Sequence, residues 1–133
     1  EMQALVRDAG TALVWITHDL AVVAGPAERV AVMYAGRIVE QGPVDAVLDA
    51  PLHPYTRGLL DSVPANNRPG APLRQIPGMA PSVLDLPAGC AFRERCSHSS
   101  DACATVPEMR PVGATAGAQS VRCHHPLVPR ATP

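Results

Sequence analysis

The chain has 133 residues, 47% of them hydrophobic, and a formal net charge of −1, which allows one cored domain and gives no charge signal for a nucleic-acid partner. That balance hides a split, since residues 1–62 carry four Arg against eight Asp and Glu while residues 63–133 carry seven Arg against four. Every basic residue is Arg, so a phosphate-gripping loop ending in Gly-Lys-Ser/Thr is excluded here, and no apolar run approaches the roughly 20 residues that span a bilayer.

Glu1 is acidic, no basic n-region precedes an apolar stretch, and the chain opens inside an apparent helix. It therefore reads as the C-terminal piece of a longer cytoplasmic protein. Met2, Leu5, Val6 and Ala9 fall at helical spacing, with Gly10 suited to a left-handed cap. Ala12–Thr17 is an apolar run without solvent-face alternation, expected to be a buried strand of a parallel sheet covered on both faces. Ligands collect beyond the carboxyl ends of such strands, and His18 occupies that end. Asp19 follows, near the start of a second helix through Leu20, Val22, Val23 and Ala24, and Gly25-Pro26 is expected to break it.

Arg29–Tyr34 and Arg37–Gln41 read as two strands around Ala35-Gly36, with Val30, Val32 and Tyr34 on one face. Gly42-Pro43 supplies a helix start with proline at the first helical position, and Val44, Val47 and Leu48 give that helix its apolar stripe. Pro54 repeats the device for a helix packing Tyr55, Leu59 and Leu60, in which Gly58 costs about 1 kcal/mol relative to Ala. From Pro64 to Pro87, six prolines in 24 residues leave an extended connector lying on a surface.

Four cysteines follow, Cys90, Cys96, Cys103 and Cys123, spaced x₅, x₆ and x₁₉. None has the close separation of a structural zinc site, and disulfides need an oxidising compartment. Four thiolates holding an iron–sulfur cluster and unrelated free thiols both fit the spacing. Arg93, Arg95 and Arg122 lie close in sequence and could offset thiolate charge, and His98, His124 and His125 are substitute ligands. A hydrolase with a Cys nucleophile has no support from a nucleophile elbow or an oxyanion loop.

Val14-Trp15-Ile16-Thr17-His18-Asp19-Leu20 and the run from Arg29 to Gly42 resemble the end of an ABC transporter ATPase subunit. His53-Pro54-Tyr55-Thr56-Arg57, then Ile76-Pro77-Gly78, then Leu86-Pro87-x-Gly89-Cys90-x-Phe92, resemble the C-terminal extension of the oligopeptide/dipeptide importers. The resemblance implies an α/β fold: the C-terminal part of a P-loop NTPase core over residues 1–50, then a proline-rich, cysteine-containing extension over 51–133. It implies that His18 is the switch histidine contacting the γ-phosphate of ATP, and that Cys90, Cys96, Cys103 and Cys123 hold a [4Fe–4S] cluster. Asp19 keeps a structural role. The phosphate loop, glutamine loop, signature and acidic Mg²⁺ residues precede this region in the family, so the chain alone should not hydrolyse ATP. The Gly25-Pro26 break departs from the family's helix. Implied partners are transmembrane permease subunits, a second ATPase subunit and, through the complex, an extracytoplasmic solute-binding protein, at the cytoplasmic face of the inner membrane. The competing reading is a free-standing iron–sulfur or zinc module.

Overall fold

The computed structural model describes residues 2–25, 27–68, 70–113 and 118–128. Helix α1 (Met2–Ala9) ends as expected on Gly10 at φ 61°, where Thr11 N–H donates to the Val6 carbonyl at 3.2 Å. Residues 11–17 then depart from expectation. They form no strand, and Val14 and Ile16 are 85% and 92% exposed. A strand needs a neighbour for its N–H and C=O groups, and every described strand pairs elsewhere. The parallel sheet inferred from this run is therefore not formed within the described residues.

Helix α2 (Leu20–Val23) stops before Gly25. Pro26, the other half of the expected break, lies outside the described residues.

The architecture is a small mixed domain built on a four-stranded antiparallel sheet in the order β1-β2-β4-β3. Strands β1 (Arg29–Tyr34) and β2 (Arg37–Pro43) form the expected hairpin. Both turn residues have positive φ, 48° at Ala35 and 76° at Gly36, the twist a two-residue hairpin needs. Val32 and Tyr34 are buried and Val30 half-buried, on the expected face. A register shift between Val32 and Met33 leaves one extra residue in β2, and the consecutive Val39 and Glu40 are both buried beside it. Helix α3 (Val44–Asp49) follows directly, but Pro43 is its cap at ψ 141° and the last residue of β2 rather than the first helical residue.

Helix α4 (Pro54–Asp61) begins as the sequence indicates, with Pro54 in its first turn. His53 caps it, its Nδ1 accepting from Tyr55 N–H at 3.0 Å. Among the described residues of 64–87 the only regular element is a single 3₁₀ turn, Pro64–Asn66. Ile76 of this connector lies against α4 at Gly58, where an added Cβ would sit 2.7 Å from Ile76 Cγ1. Strands β3 (Met109–Pro111) and β4 (Ser120–Arg122) close the sheet, so it draws strands from both sides of residue 50.

Tyr34, Tyr55 and Phe92 form the aromatic centre, with ring centroids 4.5–5.5 Å apart, over Val32, Val39 and Val47. Glu40, wholly buried, ties the layers together. Its carboxylate accepts from Leu52 N–H at 2.7 Å, His53 N–H at 3.0 Å and the Gln119 amide at 2.6 Å. Among the described residues no helix is long and apolar enough to cross a membrane.

His53 makes this core sensitive to acid. Its ring is buried, Nε2 has no hydrogen-bond partner, and burial lowers its pKa from 6.5 to about 4. Because the folded value lies below the unfolded one, the unfolded chain binds the extra proton. Stability should thus be complete above pH 6.5 and fall, by up to about 3 kcal/mol, as the pH drops from 6.5 to 4. Denaturant unfolding at several pH values reads that slope, which His53→Gln should flatten.

Candidate functional site

His18 is exposed, on the segment that also presents Leu13, Val14, Trp15 and Ile16 to solvent. Asp19 N–H donates to Thr17 Oγ1 at 3.0 Å, a local turn that ends the extended run and leads into α2. The imidazole is therefore displayed at the end of an uncovered apolar strip. Each large aliphatic side chain left in water forgoes about 1.5–3 kcal/mol of burial. Such a strip is costly unless another surface covers it.

The four cysteines are the second set of candidate residues. All four are free thiols, with Cys103 buried and Cys90, Cys96 and Cys123 half-buried. The structure joins the Cys90 and Cys103 segments through the backbone, and the thiols influence one another's ionisation without forming a metal-binding group among the described residues. Cys103 raises the pKa of Cys90, Cys90 and Cys103 raise that of Cys96, and all three raise that of Cys123. Burial is the first cause in each case and takes Cys123 to about 11.

Backbone geometry makes this connection. Cys90 N–H donates to the Cys103 carbonyl at 3.0 Å, joining segments that are 13 residues apart in sequence. Gly89, at φ 85°, permits the approach. A Cβ there would run into the Cys103 carbonyl oxygen and lie 2.6 Å from Ala104 O. Amide N–H groups also point at sulfur: Phe92 and Arg93 toward Cys90, His98 toward Cys96, and His125 toward Cys123 at 3.3 Å. Each opposes the rise in pKa, because an N–H donor favours the charged sulfur.

The raised pKa values of Cys90, Cys96 and Cys123 make these thiols poor nucleophiles, which disfavours a Cys-dependent hydrolase. Among the described residues no three His, Cys, Asp or Glu side chains are grouped so as to hold a metal ion. The candidate substitute ligands are engaged otherwise. His124 Nε2 lies 3.1 Å from the Thr105 carbonyl oxygen, and His125 Nε2 lies 2.6 Å from Ser100 Oγ. His98 acts through its amide.

The nearby arginines also differ from their expected use. Arg93 donates to Ala88 O, Arg95 to Pro77 O and Ile76 O, and Arg122 to Ile38 O and Pro107 O. The cation that acts on Cys90 is Arg37, at the start of β2. Arg37 comes near Cys90 through the hairpin, a proximity the sequence does not display.

Residues 39–103 match the family described as oligopeptide/dipeptide transporter, C-terminal region. A Brucella ovis protein described as a peptide import ATP-binding protein is 48% identical over 128 residues, covering 91% of this chain and 38% of the relative. A Brucella melitensis protein of the same description is 50% identical over 115 residues, covering 86% of this chain and 30% of the relative. The oligopeptide transport ATP-binding protein OppD of Salmonella typhimurium is 45% identical over 108 residues, covering 81% of this chain and 32% of the relative. The chain thus spans less than two fifths of the length of these relatives.

Proposed function

From a chain that is homologous to peptide import ATP-binding proteins over most of its length, and carries the oligopeptide/dipeptide transporter C-terminal region, we propose that it is part of an ATP-hydrolysing subunit powering peptide import. The extent of that homology carries the reading. Residues 1–50 would close the nucleotide-binding domain and 51–133 form the extension. His18 would donate to a γ-phosphate oxygen and orient the attacking water, since phosphoryl transfer depends on positioning and on stabilising developing charge. The residues that hold ATP and Mg²⁺ would come from elsewhere in the longer protein, whose surface would cover Leu13–Ile16. Permease subunits, a second ATPase subunit and an extracytoplasmic solute-binding protein complete the assembly, with this subunit at the cytoplasmic face of the membrane.

The four cysteines fit an iron–sulfur cluster in their donor chemistry. Thiolate is the usual protein ligand of such clusters, and a cluster of several metal atoms spreads its ligands farther apart than a single tetrahedral zinc with bonds of about 2.3 Å. Cys90, Cys96, Cys103 and Cys123 would be the ligands, and the amides aimed at three of the sulfurs would stabilise their charge. A bound cluster would cross-link segments that have little regular structure of their own. The exposed Val14 and Ile16 disfavour a free-standing metal module.

ATP hydrolysis by the full-length subunit tests the main reading. His18→Ala should lower turnover about 100-fold while sparing nucleotide binding. Undiminished turnover in that variant would remove His18 from the mechanism. For the cluster, anaerobically purified protein should be brown, and a colourless preparation with stoichiometric zinc would reject the assignment.

A further inference from the structure

Arg95 directly precedes Cys96 and closes a tight loop that starts at Cys90. Arg93 N–H donates to Cys90 O at 3.0 Å, Arg95 N–H to Phe92 O at 3.0 Å, and Cys96 N–H to Arg93 O at 3.4 Å. Such a short hydrogen-bonded loop leaves Arg95 little freedom relative to the two sulfurs. Its guanidinium spans three parts of the molecule. Nε donates to Pro77 O at 2.8 Å, Nη2 to Ile76 O at 3.3 Å and Nη1 to Tyr34 Oη at 3.2 Å, with Cζ 5.9 Å from the Tyr34 ring centre. The two carbonyls belong to the proline-rich connector, and Ile76 is the residue pressed onto Gly58 of α4.

We propose that Arg95 is a positioning residue through which the state of the four-cysteine site controls the seating of the connector on α4. The proposal rests on the reading of Cys90, Cys96, Cys103 and Cys123 as cluster ligands. The described residues of the connector from Pro64 to Pro87 pair with no strand of the sheet, so side-chain anchors such as Arg95 carry much of its attachment. When the four thiols are held together, the Cys90–Cys96 loop is fixed and the fork of Arg95 is presented to Ile76 and Pro77. When they are released, the loop loses two of its tethers. The fork then loses its alignment with the carbonyls, and Ile76 lifts from Gly58.

Trypsin can read this directly. Between Pro64 and Pro87 the basic residues are Arg68, which precedes Pro69 and resists cleavage, and Arg74, followed by Gln75. The full-length protein, purified anaerobically, is digested with its cluster and after stripping with an iron chelator, with visible absorption recording occupancy. Stripping should speed cleavage after Arg74 by about tenfold in the wild type. Arg95→Met should be cut at the fast rate with its absorption intact, and no faster once stripped. Equal rates in loaded and stripped wild type overturn the proposal, as does an Arg95→Met protein that still responds to stripping. A protein that takes up no iron overturns the cluster reading and this proposal together, and its lack of colour distinguishes that failure from the others.

Discussion

Replacing Glu40 by alanine is expected to lower the unfolding free energy of the chain by about 3–5 kcal/mol, read as a drop in the denaturant midpoint at unchanged slope. The wholly buried carboxylate is the acceptor for three donors, the Leu52 and His53 N–H groups and the Gln119 amide. Its removal strands buried donors that cost about 1–3 kcal/mol each, less whatever entering water recovers. Gln119 keeps one alternative, the Ala50 carbonyl at 3.0 Å. Glu40→Gln preserves the volume but turns an NH₂ toward groups that are themselves donors, and should fall between wild type and Glu40→Ala. A Glu40→Ala protein as stable as wild type would mean that this carboxylate does not join β2, the α4 cap and the segment leading into β4.

Gly89→Ala should be at least as damaging, costing more than about 3 kcal/mol and abolishing any visible absorption from the four-cysteine site. Two penalties combine here. The backbone has φ 85°, and the new Cβ meets the Cys103 and Ala104 backbone, which cannot turn away as a flexible side chain could. Relief requires opening the Cys90 N–H to Cys103 O bond, which separates two of the thiols. Gly70→Ala is the matched control. It has φ 83° with open space around its Cβ position, so it should cost only about 1–2 kcal/mol and leave the cysteines in place. Similar losses at both positions would show that backbone conformation alone, and not the close approach at Gly89, sets the cost.

Several elements were legible because their causes are local. Gly36 allows the positive φ of the hairpin turn, Pro54 suits the first turn of α4, and Gly10 ends α1 in a left-handed conformation. Six prolines likewise keep the described residues of 64–87 free of long regular elements. The four cysteines could be chosen as a set from composition and order, but not their mutual approach. That approach depends on Gly89 meeting the backbone of a segment with no sequence signature of its own. Strands β3 and β4 escaped the reading for a related reason. Three residues each give too little alternation to see, and they are strands only because β2 supplies an edge.

The strip from Ala12 to Thr17 marks the opposite limit. Its composition specified a buried strand, yet burial requires a covering surface and pairing requires a neighbour, and the described residues provide neither.

By itself, then, the sequence determined the hairpin turn, the Gly10 end of α1, the Pro54 start of α4 and the proline-rich connector. These follow from the allowed φ of one residue or the periodicity of a few. Only the tertiary structure decided that Glu40 lies inside, that Gly89 meets the backbone of Cys103 and Ala104, and that Gly58 leaves room for Ile76. Glu40 shows the physical reason. A buried carboxylate survives only where donors converge, and its donors lie 12, 13 and 79 residues away along the chain.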